Sequence, residues 1–246
     1  MPALLLAVPF FGIALIYASV GLGGGSAYAA LLLLADTDYT TIPATALTLN
    51  LVVTTLSAVT FIRSGQLKVA RVWPYFILSV PLAYFGGRLN LPRDVFLWLL
   101  LLSLMAIAGR IYFWNGTATL VQLSRRERVA VGLALGALLG FLAGAVGIGG
   151  GIFLVPLIIL FGLGTAREAA SAGTVFIWVN SLAGLLPRVQ SGLWDPRFIL
   201  PLMLAVAAGG LAGASLGAYR LQPATVQRVL GIVILAAIVS VGTKLA

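Results

Sequence analysis

Apolar residues gather into eight blocks, roughly 2–35, 43–62, 70–88, 94–114, 128–163, 168–187, 197–218 and 223–243. A run of about 20 apolar residues crosses about 30 Å of hydrocarbon as a helix. The first and fifth blocks are longer, about 34 residues or about 51 Å as helix, too long for one ordinary crossing. Each is interrupted near its middle, by Val20-Gly21-Leu22-Gly23-Gly24-Gly25 and by Val146-Gly147-Ile148-Gly149-Gly150-Gly151. Glycine weakens a helix interior by about 1 kcal/mol per residue. Each long block is therefore expected to form two short helices joined by a glycine turn.

The interruptions recur 126 positions apart, and the halves correspond elsewhere. Arg63-Ser64-Gly65 follows the second block, and Gln190-Ser191-Gly192 follows the sixth. Pro74 and Pro201 occupy similar places in blocks three and seven, and Gly86-Gly87-Arg88-Leu89 resembles Gly217-Ala218-Tyr219-Arg220-Leu221. The reading is an all-α polytopic membrane protein of two homologous repeats, each a glycine-broken helix pair plus three transmembrane helices. Residues 1–114 form the first repeat, 115–127 a polar cytoplasmic linker and 128–246 the second repeat. Broken long blocks make the repeats inverted, whereas unbroken ones would make them parallel. The positive-inside rule scores both arrangements equally. Block length favours inversion, a common transporter design.

Composition strengthens the membrane reading. The chain is 61% hydrophobic and 9% charged, against about 25% charged residues in soluble domains. The net charge of +9 comes from cations scattered between apolar blocks, as expected of membrane-surface anchors rather than of a nucleic-acid interface. The first cation is Arg63, so residues 1–20 lack the basic start of a signal peptide and read as part of the membrane domain. Cysteine and histidine are absent, which removes thiolate sites and the commonest metal ligand; neither metal nor cofactor is expected. No Ser/His/Asp set or clustered carboxylate pair suggests an enzyme. Asp36, Asp38, Asp94, Glu127, Glu168 and Asp195 all fall in loops or at block edges, so a core carboxylate relay is not expected. Transport is then either facilitated, or coupled to a proton that travels on the substrate or to sodium held by backbone carbonyls and hydroxyls.

Gly23-Gly24-Gly25 precedes an apolar run at 26–34 and Gly149-Gly150-Gly151 precedes one at 152–161. A helix N-terminus presents unpaired N–H groups and about half a positive charge, which suits an anion. Unwound backbone at membrane depth has to be packed in protein or line a cavity. Gly132, Gly136, Gly140 and Gly144 recur every fourth residue, a pattern for close helix packing.

The duplicated GxGGG breaks, Pro156, Ala172-Gly173-Thr174 and the serine–glycine loops resemble the sulfite exporter TauE/SafE family over nearly the whole chain. Ala30 stands where the family pattern has a proline in the first repeat. The resemblance implies a multi-pass bacterial inner-membrane protein that moves sulfite, sulfonates or related sulfur-containing anions. It also implies that Thr48 and Thr174, counterparts in the two repeats, lie beside the breaks.

Intramembrane polar residues are functional candidates by default. The expected substrate-binding set is Gly23, Gly24, Gly25, Thr48, Asn50, Gly149, Gly150, Gly151, Thr174 and Asn180. Hydroxyls commonly bond back to their own helix, whereas an amide is harder to satisfy there, which favours Asn50 and Asn180. Arg188, at a block end, is expected to snorkel to the headgroups. The expected function is alternating-access transport of a small anion; the alternative is a channel or facilitator for another small solute or an organic acid. Partners are the anion and the bilayer, with no nucleic acid, and a homodimer is compatible with the sequence.

Overall fold

The computed structural model describes residues 3–19, 22–63, 73–113, 124–161, 166–217 and 223–245. They form ten helices: α1 (Ala3–Ser19), α2 (Gly25–Leu34), α3 (Ile42–Arg63), α4 (Trp73–Arg88), α5 (Arg93–Phe113), α6 (Arg125–Val146), α7 (Gly151–Leu160), α8 (Ala166–Gln190), α9 (Pro196–Gly217) and α10 (Pro223–Leu245). Both long apolar blocks are split at their glycines, the first into α1 and α2 and the second into α6 and α7. Val20 and Gly21 lie outside the described residues, as do most of the linker and the Ser64-Gly65 loop. α6 starts at Arg125, inside the stretch read as linker, because Ser124 and Glu127 form a reciprocal capping box there.

Among the described residues four helices are long and apolar enough to cross a membrane, at Ile42–Val59, Arg126–Val146, Glu168–Gln190 and Pro196–Ser215. Large apolar side chains point outward along many helices, among them Phe85, Trp98, Leu102, Leu200, Leu204 and Val239. An apolar exterior of this extent suits lipid rather than water.

The glycine breaks reverse the chain. Tyr17 and Ser26 hydroxyls lie 3.3 Å apart, and the rings of Phe10 and Tyr28 stack at 5.3 Å. In one straight helix, residues 10 and 28 would be about 27 Å apart. α2 must therefore run back along α1. In the second break Leu139 of α6 and Leu154 of α7 belong to one buried cluster, and the Leu139 carbonyl lies beside Gly150, so the chain turns back there too.

α4 packs on α6 and α1 on α9 as the two closest pairs, α3 and α8 cross at the centre, and α5 packs on α10. The close pairs rely on small residues. A Cβ on Gly140 would meet the Ser79 backbone and one on Gly144 the Ala83 backbone, so α6 and α4 touch main chain to main chain. Gly209 and Gly213 do the same for α9 against Phe11 and Leu15 of α1.

Helix α10 ends against α2 and α5. The Lys244 ammonium donates to the Leu33 carbonyl (2.6 Å) and pairs with Asp36, and the Arg93 guanidinium donates to the Lys244 carbonyl at 3.5 Å. Lys244 thus caps the C-terminus of α2, where a cation is favoured. Its hydrogen bond and charge hold the Asp36 carboxyl below the usual carboxylate range. A carboxyl depressed in the folded state lends stability above its unfolded pKa and loses it as pH falls through the folded value. Asp36→Asn is therefore expected to lower the melting midpoint slightly at neutral pH, with the difference from wild type vanishing below the usual carboxylate range. Thermal melts in detergent across that range check this.

Candidate functional site

Asn50 of α3 sits where the two breaks meet. A Cβ on Gly23 would lie 2.6 Å from its Oδ1, one on Gly149 would lie 2.9 Å from its Nδ2, and one on Gly25 would collide with its Nδ2. The Gly147 carbonyl of the second break would be 2.7 Å from the same Gly25 Cβ. Ile177 of α8 closes the other side, against Gly23, Gly149 and Gly151. The absence of side chains at these glycines lets both breaks close around one amide. Asn50 is fully buried, and neither its Oδ1 nor its Nδ2 has a partner. A buried unpaired polar group costs about 1–3 kcal/mol, and here one side chain carries two.

The breaks are not equivalent. In the first, Gly24 adopts a left-handed conformation (φ 88°) and α2 begins behind it. The helical ladder starts with the Tyr28 N–H donating to the Gly24 carbonyl (2.9 Å), which leaves the preceding N–H groups outside it. The Tyr28 hydroxyl, buried and unpaired, packs back against Gly24. Tyr17 and Ser26 add two more hydroxyls. In the second break part of the backbone satisfies itself. The Gly151 N–H donates to the Gly149 carbonyl (3.0 Å) and the Phe153 N–H to the Gly150 carbonyl (3.2 Å). Gly149 and Gly150 are both left-handed, and Phe176, Ile177 and the Leu139 carbonyl surround this break. Polar chemistry is concentrated at the first break, and the second is mostly apolar.

The other expected site residues are placed less favourably. The Thr48 hydroxyl donates to the Ala44 carbonyl and accepts from the Trp194 indole (3.1 Å), so its partners lie on the α3 helix and beyond the end of α8. The Thr174 hydroxyl donates to the Ala170 carbonyl on its own helix. Asn180, expected to resist satisfaction by its own helix, donates its Nδ2 to the Phe176 carbonyl (2.8 Å), though its buried Oδ1 is unpaired. Tyr17, Ser26 and Tyr28 were not among the expected residues. Their positions just before and after the glycines were the available signal.

Arg188 corrects the snorkelling expectation. It is 4% exposed and donates through Nη2 to the carbonyls of Gly144 (3.0 Å) and Ala145 (3.1 Å). These are last-turn carbonyls of α6, which have no helical donor of their own. Arg188→Leu is expected to destabilise the protein by about 2–3 kcal/mol, the scale of hydrogen bonds to a charged group. Arg188→Lys should recover part of the loss in a detergent thermal melt.

A cavity of about 390 Å³ opens between α5, α6 and α7, lined by Ala106, Gly109, Phe113, Leu135, Leu139, Phe153, Pro156 and Leu157. Its walls are apolar and Asn50 is not among them, so it offers an anion no donors. Among the described residues no carboxylate is buried, and no group of three or more acidic, histidine or cysteine side chains could hold a metal ion.

Apolar-faced helices wrapped around a buried polar cluster at broken helices define a helical membrane protein. Residues 5–241 match the family model described as sulfite exporter TauE/SafE, and the chain belongs to that family. It is 34% identical over 232 residues to "Probable membrane transporter protein y4hK" of Sinorhizobium fredii (strain NBRC 101917 / NGR234), covering 94% of each chain. It is 30% identical over 108 residues to "Probable membrane transporter protein YunE" of Bacillus subtilis (strain 168), covering 44% of this chain and 39% of that one. No solved structure matches the chain.

Proposed function

We propose that this protein is a secondary transporter of small sulfur-containing anions, such as sulfite or a sulfonate, in a bacterial inner membrane. The anion is held at the first glycine break by Asn50, Tyr28 and the N-terminus of α2. The observation that carries this reading is the fully buried Asn50 amide with both polar atoms unpaired between two backbone breaks. Family membership supports the transport class and the anion class. Gly149, Gly150 and Gly151 act by letting the second break approach Asn50, and Thr48, Thr174 and Asn180 support the surrounding helices.

The two halves act as inverted repeats. With α1–α2 and α6–α7 as re-entrant hairpins, each half makes an odd number of crossings, and Asp36 and Lys244 fall on one side. Parallel repeats would put them on opposite sides, so the Asp36–Lys244 ion pair supports inversion where the charge count is tied. α2 packs on α10, while a cleft occupies the counterpart position between α7 and α5. Such a closed and an open version of one interface fits alternating access. No catalytic role is proposed.

The test is flux into proteoliposomes holding the purified protein, with sulfite, thiosulfate, sulfonates and organic acids, with and without a pH gradient. Saturable flux with competition among the sulfur anions is expected. Non-saturating flux of neutral solutes would instead favour the channel reading.

A further inference from the structure

The first break is built from neutral groups. Asn50 offers two N–H donors and one carbonyl acceptor, all unpaired, and Tyr28 adds an unpaired hydroxyl. The N-terminus of α2 adds about half a positive charge. Among the described residues Arg188 is the one buried charged side chain, and its Nη2 is committed to the α6 carbonyls. These features constrain the ligand in two ways. The desolvation cost of an ion grows steeply with its charge in a low-dielectric site; half a charge and neutral donors suit a monoanion far better than a dianion. The Asn50 Oδ1 is an acceptor, and a fully ionised oxyanion has no donor to give it. An oxyanion that keeps one O–H does.

We propose that this site selects the protonated monoanion of its substrate, one negative charge with one O–H, over the dianion, so that the accompanying proton is carried by the substrate. This rests on the transporter reading given above. The protonated oxygen donates to Asn50 Oδ1, and the charged oxygens accept from Asn50 Nδ2, Tyr28 and the N–H groups at the start of α2. Hydrogen sulfite has this form, and an alkylsulfonate shares the charge but lacks the donor.

The titratable side chains at the first break are Tyr17 on α1 and Tyr28 on α2, while the buried Arg188 of α8 is bound to the last-turn carbonyls of α6. Among the described buried residues, α3, α6 and α9 supply none. Phenol and guanidinium do not ordinarily titrate between about pH 6 and 9. Over that range a pH dependence of transport would come from the substrate.

The test uses the wild-type protein in proteoliposomes, with the same pH on both sides. Initial uptake of radiolabelled sulfite and of methanesulfonate is measured at subsaturating concentration between about pH 6 and 9, and uptake by protein-free liposomes is subtracted. Sulfite flux is expected to follow the hydrogen sulfite fraction, falling about tenfold per pH unit above the substrate's own pKa, while methanesulfonate flux is slower and flat. Sulfite flux that rises or stays constant with pH overturns the proposal and leaves the transporter standing. So does a parallel fall in methanesulfonate flux, which would place the titration on the protein. Methanesulfonate flux without sulfite flux also overturns it. Absence of flux for both anions overturns the transporter reading as well.

Discussion

Replacing Asn50 by leucine should make the protein more stable and stop it transporting. The amide is fully buried and both of its polar atoms lack partners. Leucine has nearly the same shape and removes both unpaired atoms, and such an apolar replacement can be neutral or stabilising. A gain of about 1–3 kcal/mol is expected, the penalty for one such group, read as a higher melting midpoint in detergent. Saturable sulfite flux should fall more than tenfold, because the central donor and acceptor are gone; tenfold corresponds to about 1.4 kcal/mol. The two readouts move in opposite directions, which a merely structural asparagine would not produce. A stabilised Asn50→Leu variant with wild-type flux would remove Asn50 from the site.

Gly25→Ala is the second large effect, and it works through the backbone. One methyl there would collide with the Asn50 amide and sit 2.7 Å from the Gly147 carbonyl oxygen. The amide can rotate, but the carbonyl belongs to the other break, so the breaks have to separate. Overpacking of this kind costs about 1–3 kcal/mol. Loss of flux is expected with the protein still inserted and folded, together with a melting midpoint several degrees lower. Gly12→Ala is the matched control. It is also helical, and nothing lies within 4 Å of its added Cβ, so flux should be unchanged and stability unchanged or slightly higher. Equal flux in both variants would show that close approach of the breaks is unnecessary. The wider substitutions Gly24→Val and Gly150→Val should also abolish flux, for an added reason: both glycines have positive φ, at 88° and 71°, where a β-branched residue is strongly disfavoured.

Much of the helix layout was legible because hydropathy is a local property. Block boundaries agree closely with the helices, and the overlong first and fifth blocks announced their own breaks. Glycine at 23–25 and 149–151 has a local meaning too, since left-handed backbone and uncovered N–H groups follow from the missing Cβ. The candidate site was only half legible. Asn50 and Asn180 looked alike in sequence, two amides in apolar helices. Asn180 finds the Phe176 carbonyl one turn behind it, while the Asn50 side chain is turned into the glycines, where neither of its polar atoms finds a partner. Arg188 looked like a surface anchor because it ends an apolar block. Its burial depends on α6 ending beside it with unpaired carbonyls, which lies 43 and 44 positions away in sequence.

The apparent symmetry of the glycine motifs also hid a difference. Both read GxGGG, yet Gly151 and Phe153 satisfy their own N–H groups within the second break, and the first break leaves its donors outside the ladder. Neighbouring side chains add to the contrast: Asn50 and Ile177 touch both breaks, while Phe176 lies at the second and Tyr28 at the first. The sequence by itself determined a membrane protein of broken apolar helices, because composition and hydropathic length follow from the chain alone. Only the tertiary structure decided that both breaks close on one unpaired amide, and that α10 returns to α2 through Lys244 and Asp36. Those depend on which helices come together, and a hydrogen bond's partner is set by where the other chain segment lies in space.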